Sequence, residues 1–109
     1  MRFDADARAR LRRTLLDRGQ VLATLLAEIL GGKDRARAVE ALGLQARPGM
    51  RPEEILRAAL DHVEALRRMV EAGDDGYGRC HVCGADLGLA AMLEVPWADA
   101  CRAHAGLAR

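Results

Sequence analysis

The chain has 109 residues, 50% of them hydrophobic, and a formal net charge of +1. This length predicts one domain, or a small domain with an appended module. Ala, Leu and Arg dominate and only Phe3, Tyr77 and Trp97 are aromatic, which favours long helices over sheets. The small net charge gives no reason to expect direct nucleic-acid binding. No apolar run approaches the ~20 residues that span a bilayer, so we expect a soluble, cytoplasmic protein without membrane contact.

The first predicted helix covers residues from about 4 to 30, which include no proline. Its apolar residues advance by four and three positions and form a heptad seam of Leu11, Leu15, Leu22, Leu25 and Ile29. Arg18 occupies a seam position that should be apolar, and we expect its charged head to reach solvent past the partner helix. Gly19 predicts a bend, and Gly31 with Gly32 predicts the helix end.

The second long helix is predicted from Pro52 to about Ala72, because a proline and two glutamates form a strong helix start. Its seam is Leu56, Ala59, Val63, Leu66 and Val70, and a second stripe is formed by Ile55, His62 and Met69. The matching seams predict an all-α antiparallel hairpin over residues 1–76. A short connector helix is predicted from Asp34 to Leu42, with Asp34 as its cap and a turn following it.

A metal-ligand pattern follows the second helix. Cys80-His-Val-Cys83 and Cys101-Arg-Ala-His104 are separated by seventeen residues, and each pair can supply two ligands from one tight turn. Three thiolates and an imidazole suit a single structural Zn²⁺ in a closed tetrahedral site. The spacing therefore predicts a zinc finger over residues 77–109, with Cys80, Cys83, Cys101 and His104 as ligands.

Two other interpretations of this pattern stay open. His81 can replace His104 as the fourth ligand, although three ligands would then fall within four residues. Cys80 and Cys83 can instead form a thioredoxin-like redox pair, although no strand is predicted before them. Trp97, which follows Pro96, is expected to cover the zinc turn and dock the finger on the hairpin.

The finger resembles that of the DksA/TraR family of bacterial transcription regulators. The resemblance rests on Tyr77-Gly-Arg-Cys80-His-Val-Cys83-Gly84, on Leu87 and on Pro96-Trp-Ala-Asp-Ala-Cys101, and it covers roughly residues 73–105. The chain has His104 where the usual family member has a fourth cysteine. The resemblance implies a bacterial, non-enzymatic protein whose hairpin enters the secondary channel of RNA polymerase.

The family's hairpin tip carries an Asp-x-x-Asp-x-Ala motif, and this motif aligns with residues 31–36. Asp34 and Ala36 match it, which makes them candidate partner-binding residues, whereas Gly31 stands where the first acid belongs. The alternative function is a zinc-stabilised protein–protein interaction module, monomeric or dimeric through the stripe of Ile55, His62 and Met69. A thiol redox enzyme is the third hypothesis.

Overall fold

The computed structural model describes residues 1–106. Its helices are α1 (Ala5–Leu30), α2 (Ala36–Ala41), α3 (Pro52–Ala72) and α4 (Leu89–Glu94), and a 3₁₀ turn covers Arg102–His104. Within the described part there is no β-strand, only an isolated antiparallel bridge between Arg79 and Asp86. The all-α prediction is confirmed, and residues 107–109, at the end of the predicted finger, lie outside the described residues. None of the helices in residues 1–106 has the length and hydropathy to cross a membrane.

The helix α1 begins and ends as its sequence predicts. The carboxylate of Asp4 accepts a hydrogen bond from the backbone N–H of Ala7 at 2.8 Å, which satisfies one of the free donors at the helix start. At the other end the N–H of Gly31 donates to the carbonyl of Ala27. The helix runs without interruption through Gly19, where a Cβ would lie 3.8 Å from the Leu60 side chain. This is an ordinary contact distance, so the packing of α1 on α3 leaves room for a methyl group at this point.

The core lies between α1 and α3, which pack against each other as expected for the predicted hairpin. The fully buried seam residues include Leu11, Leu15, Leu22 and Leu56, while Leu25, Ile29 and Ala59 are partly buried. The guanidinium of Arg8 donates to the carbonyls of Val70 and Glu71, at 3.0 and 3.2 Å. Because these carbonyls belong to the last turn of α3, the start of α1 caps the end of α3, and the two helices run antiparallel.

The connector between the long helices contains a shorter helix than expected. Its α2 begins at Ala36 with Arg35 as the capping residue, whereas the prediction began it at Asp34. Glu28 of α1 holds Arg35 at 2.9 Å and Lys33 at 3.5 Å, so these residues lie against the end of α1 before the helix starts. The hydrogen bond from Arg35 lowers the pKa of Glu28. Buried Val39 joins α2 to the core, and Gly49, with φ +87°, turns the chain toward α3.

The second stripe of α3 is covered in part by the chain itself. Ile55 and Met69 are partly buried and pack against the core. The Nε2 atom of His62 lies 3.6 Å from Oδ2 of Asp99, which belongs to the finger. Each of the three residues of the second stripe therefore makes a contact within the chain.

Candidate metal centre

The first cysteine pair lies on a tight chain reversal. The N–H of Cys80 donates to the carbonyl of Ala85, and the N–H of Gly84 donates back to the carbonyl of Cys80, at 2.8 and 2.9 Å. Gly84 has a φ of +74°, a backbone conformation that side chains disfavour. This turn brings the side chains of Cys80 and Cys83 to the same side.

The second pair lies on the 3₁₀ turn near the end of the described chain. Cys101 precedes this turn and His104 completes it, and the N–H of His104 donates to the carbonyl of Cys101 at 3.0 Å. The Sγ atom of Cys101 consequently lies 3.1 Å from Nδ1 of His104. One turn thus presents two donor atoms, as its two-residue spacing predicted.

The two pairs converge on one point. The four donor atoms of Cys80, Cys83, Cys101 and His104 all lie within 4.8 Å of one another. The distance between the sulfurs of Cys83 and Cys101 is 3.8 Å, and Cys80 Sγ lies 3.7 Å from His104 Nδ1. A tetrahedral ion with bonds of about 2.3 Å to sulfur separates two such sulfurs by about 3.8 Å. These residues could therefore hold a metal ion.

Backbone N–H groups favour the ionised form of the buried cysteine. Hydrogen bonds from the backbone of Cys83, Cys101 and Val82 lower the pKa of Cys80 to about 5, although burial opposes this effect. At Cys83 the backbone of Ala85 acts in the same direction, but burial and the neighbouring thiols outweigh it and raise the pKa. Thiolates are the form in which cysteine binds metals, so the backbone around Cys80 is arranged for ligation.

His81 lies beside this cluster and makes a different contact. Its Nδ1 lies 2.7 Å from the carbonyl oxygen of Asp99, and its backbone N–H donates to the same oxygen at 2.8 Å. A carbonyl accepts hydrogen bonds only, so this geometry has Nδ1 donating. His81 thus links the two ligand turns, while His104 points its nitrogen at the sulfurs.

Aromatic residues pack the finger on the base of the hairpin, the end where the start of α1 meets the end of α3. Tyr77 is buried, its hydroxyl donates to the carbonyl of Pro96 at 2.8 Å, and burial raises its pKa. Phe3 meets the ring of Tyr77 edge to face with centroids 6.0 Å apart. Gly78 adjoins this pair, and a Cβ there would lie 3.2 Å from the Phe3 ring. The base of the hairpin therefore packs tightly on the finger.

Trp97 contacts the hairpin, and its partner corrects an expectation about Arg18. The guanidinium of Arg18 lies 4.2 Å from the centroid of the Trp97 ring, so the charged head stacks on the indole and is only partly exposed. A guanidinium stacked on an indole is a favourable cation–π contact. The polar interruption in the α1 seam thus faces the finger.

Sequence reasoning missed the helix α4 and the clamp made by Arg2. Met92 of α4 is fully buried, and Leu89, Met92 and Leu93 have a three-and-four spacing that could have predicted a short helix. Arg2 donates to Asp86 at 2.8 Å and to the carbonyls of Asp75 and Tyr77. No local pattern marks Arg2, because its partners lie 73 to 84 positions away.

Asp34 and Ala36, the candidate partner-binding residues, lie at the other end of α1 from Phe3. Both are exposed, and the carboxylate of Asp34 accepts a hydrogen bond from the N–H of Ala36 at 3.1 Å. One oxygen of Asp34 therefore organises the start of α2.

Fold and site together define a helical-hairpin protein with a Cys₃His cluster docked at its base. Neither known family models, curated proteins nor solved structures gave a match to this chain.

Proposed function

We propose that Cys80, Cys83, Cys101 and His104 hold one structural Zn²⁺. The donor set supports zinc, because three thiolates and one imidazole are typical of structural zinc sites and uncommon for harder cations. When bound, the ion joins the two ligand turns and supplies folding free energy to residues 77–106. All four positions of a tetrahedral ion are filled by protein, so the site stabilises structure and has no position for substrate.

The zinc proposal is tested by native mass spectrometry and by two histidine variants. One zinc per chain is the expected stoichiometry. His104→Ala removes a donor atom and should lower zinc affinity by about tenfold or more, whereas His81→Ala removes an imidazole that contacts the Asp99 carbonyl and should change it less. The reverse ranking of the two variants would contradict the ligand assignment.

We further propose that the protein is a transcription regulator of the DksA/TraR type, which acts by binding RNA polymerase. The observation that carries this proposal is the division of the molecule into two ends. The metal cluster and its aromatic contacts stabilise the base of the hairpin, while Asp34 is exposed beyond the far end of α1. At ~1.5 Å per residue the 26 residues of α1 place these ends roughly 39 Å apart. An exposed acid at the tip of a rigid hairpin is suited to contact a large partner.

The connector makes this hairpin shorter than a plain two-helix arm. Residues 42–47 and Met50 line a cavity with Trp97 beside α3, whereas residues 31–34 are exposed beyond the end of α1 and form the tip. Asp34 is the one acidic residue of this tip, because glycines occupy positions 31 and 32 and a lysine occupies position 33. We therefore expect a weaker polymerase contact than a tip with two acids would make.

The polymerase proposal is tested with purified RNA polymerase and the zinc-loaded chain. Asp34→Asn removes the charge and keeps a side-chain oxygen that can accept the hydrogen bond from the N–H of Ala36. We expect this variant to bind polymerase about fivefold or more weakly. The matched control is Asp17→Asn, the same change at an exposed position of α1, and it should bind as the wild type does. Absence of binding by the wild type at micromolar concentration would exclude the proposal.

A further inference from the structure

A cavity of about 650 Å³ opens between the connector, α3 and the finger. Its apolar lining includes Leu22 of α1, Met50 of the connector and Val63 of α3, and none of the four metal-cluster residues lines it. Its volume falls within the ~300–1,000 Å³ typical of small-molecule sites. It also lies where several elements meet, which is a common place for such sites. The cavity is large enough for an organic ligand of modest size.

The charged residues around this cavity have a net positive sum. Among the described residues that line it, Arg18 and Arg47 are the cations, Asp99 is the one carboxylate, and Gln45 and His62 are the other polar side chains. Asp99 Oδ2 lies 3.6 Å from His62 Nε2, so this carboxylate is directed at α3. With the His62 imidazole neutral, these described residues carry one net positive charge. This balance favours a ligand with a single negative charge.

Arg18 is the cation best placed to bind such a ligand. Its guanidinium stacks on Trp97, and within residues 1–106 no carboxylate forms an ion pair with it. Burial lowers the pKa of Arg18, as expected for a partly desolvated charge that lacks a counter-ion. The stacking also fixes the plane of the guanidinium, which reduces the entropy lost when a carboxylate binds across its two N–H groups.

We propose that this cavity binds a small organic monocarboxylate with a flat apolar body. The carboxylate pairs with Arg18, and the apolar body packs against the partly buried Leu42, Leu44 and Met50 of the connector. Removal of the apolar body from water favours binding, and the charge-assisted pair provides the selectivity for an acid. No residue of the metal cluster or of the tip lines this cavity, but Trp97 and Asp99 belong to the finger, so the inference rests on the proposed zinc site and the titrations use the zinc-loaded chain.

The test uses 2-naphthoate and its neutral counterpart 2-naphthamide as probes of the full chain. The two molecules have nearly the same shape and differ in charge. In a calorimetric or NMR titration we expect the acid to bind about tenfold more tightly than the amide. Arg18→Met keeps an unbranched apolar side chain and should remove this difference. Arg10→Met, the same change at an exposed position of α1, should preserve it.

A second variant tests the cavity without changing Arg18, because Arg18→Met also removes the contact with Trp97 of the finger. Met50→Trp fills the cavity from the connector and should weaken binding of both probes by about tenfold, while circular dichroism confirms unchanged helix content. Equal affinity for the acid and the amide, or no binding of either at millimolar concentration, would overturn the proposal. So would a native dimer that Met50→Trp dissociates, because a second copy would then be the occupant.

Discussion

Gly19 and Gly73 are both glycines of the hairpin, yet they have opposite roles. Gly19 lies inside α1, where a Cβ would meet Leu60 and Val63 at 3.8 and 3.9 Å, which are ordinary contact distances. Gly73 ends α3 with a φ of +69°, a left-handed conformation that strains any residue with a side chain. The first position therefore tolerates a methyl group and the second requires glycine.

This contrast gives a prediction for the two glycines. Gly19→Ala should stabilise the protein by about 1 kcal/mol, because alanine has the higher helix propensity and loses less backbone entropy on folding. Gly73→Ala should destabilise it by about 1 kcal/mol. Urea unfolding followed by circular dichroism measures both free energies. Destabilisation by Gly19→Ala would show that α1 and α3 pack too closely there to accept a methyl group.

Contacts between residues that are close in sequence can be predicted from the sequence, whereas contacts between distant residues cannot. The ligand pairs are visible because Cys80 and Cys83, like Cys101 and His104, are neighbours in one turn. The choice between His81 and His104 needs the structure, since it depends on which imidazole faces the sulfurs. Arg18 was expected to reach solvent past the partner helix because a charged side chain at a seam position seldom stays between two helices. Its actual partner, Trp97, is 79 positions away in a segment whose path the sequence leaves open.

At the scale of elements, hydrophobic periodicity is reliable where helices are long. The bounds of α1 and α3 agree with the prediction because capping residues, glycine ends and a repeated seam all indicate the same segments. The six-residue helix α4 has too few turns to establish a period, and it lies in a stretch interpreted as the loop between ligand pairs. The connector helix α2 starts late because ion pairs to Glu28 hold the residues before it, and no helix propensity encodes that interaction.

Adjacent leucines of α1 test this seam. Leu15 is fully buried between the helices, whereas Leu16 is 40% exposed. Leu15→Ala should destabilise the protein by about 2–5 kcal/mol, because it removes buried methyl groups and leaves a cavity. The matched change Leu16→Ala removes the same atoms from a partly solvated position and should cost about 1 kcal/mol or less. Equal losses in denaturant unfolding would contradict the register of the hairpin.

For the whole molecule, the finger is a second layer packed on the hairpin. Phe3, Tyr77 and Met92 belong to the same buried cluster as the α1–α3 seam, so the hairpin and the finger share one core. Sequence analysis divided the chain at residue 76, and it could not foresee this shared core because the joining contacts come from opposite ends of the sequence. The Arg2 clamp and the α4 contacts with α1 are of this kind.

Removing the metal should therefore affect more than the finger. A chelator should release the ion, loosen residues 77–106 and lower the melting temperature of the whole chain, while most of the helical circular dichroism persists because α1 and α3 account for most helical residues. Amide hydrogen exchange should rise first around Cys80 and Trp97. Exchange at Leu22 and Val63, in the middle of the hairpin, serves as the internal control. Unchanged exchange at Cys80 after chelation would exclude a metal that stabilises this segment.

The clamp between Arg2 and Asp86 also bears on how the chain folds as it is synthesised. Residues near the hairpin tip are close in sequence, so α1 and α3 can begin pairing there as soon as both helices have formed. The opposite end must wait, since Phe3 and Arg2 have their partners about 70 to 85 positions later. Until those later residues emerge, the first turn of α1 exposes apolar surface. Closure of the base is therefore expected only after these later residues have been synthesised, and binding of the proposed Zn²⁺ would stabilise the closed base.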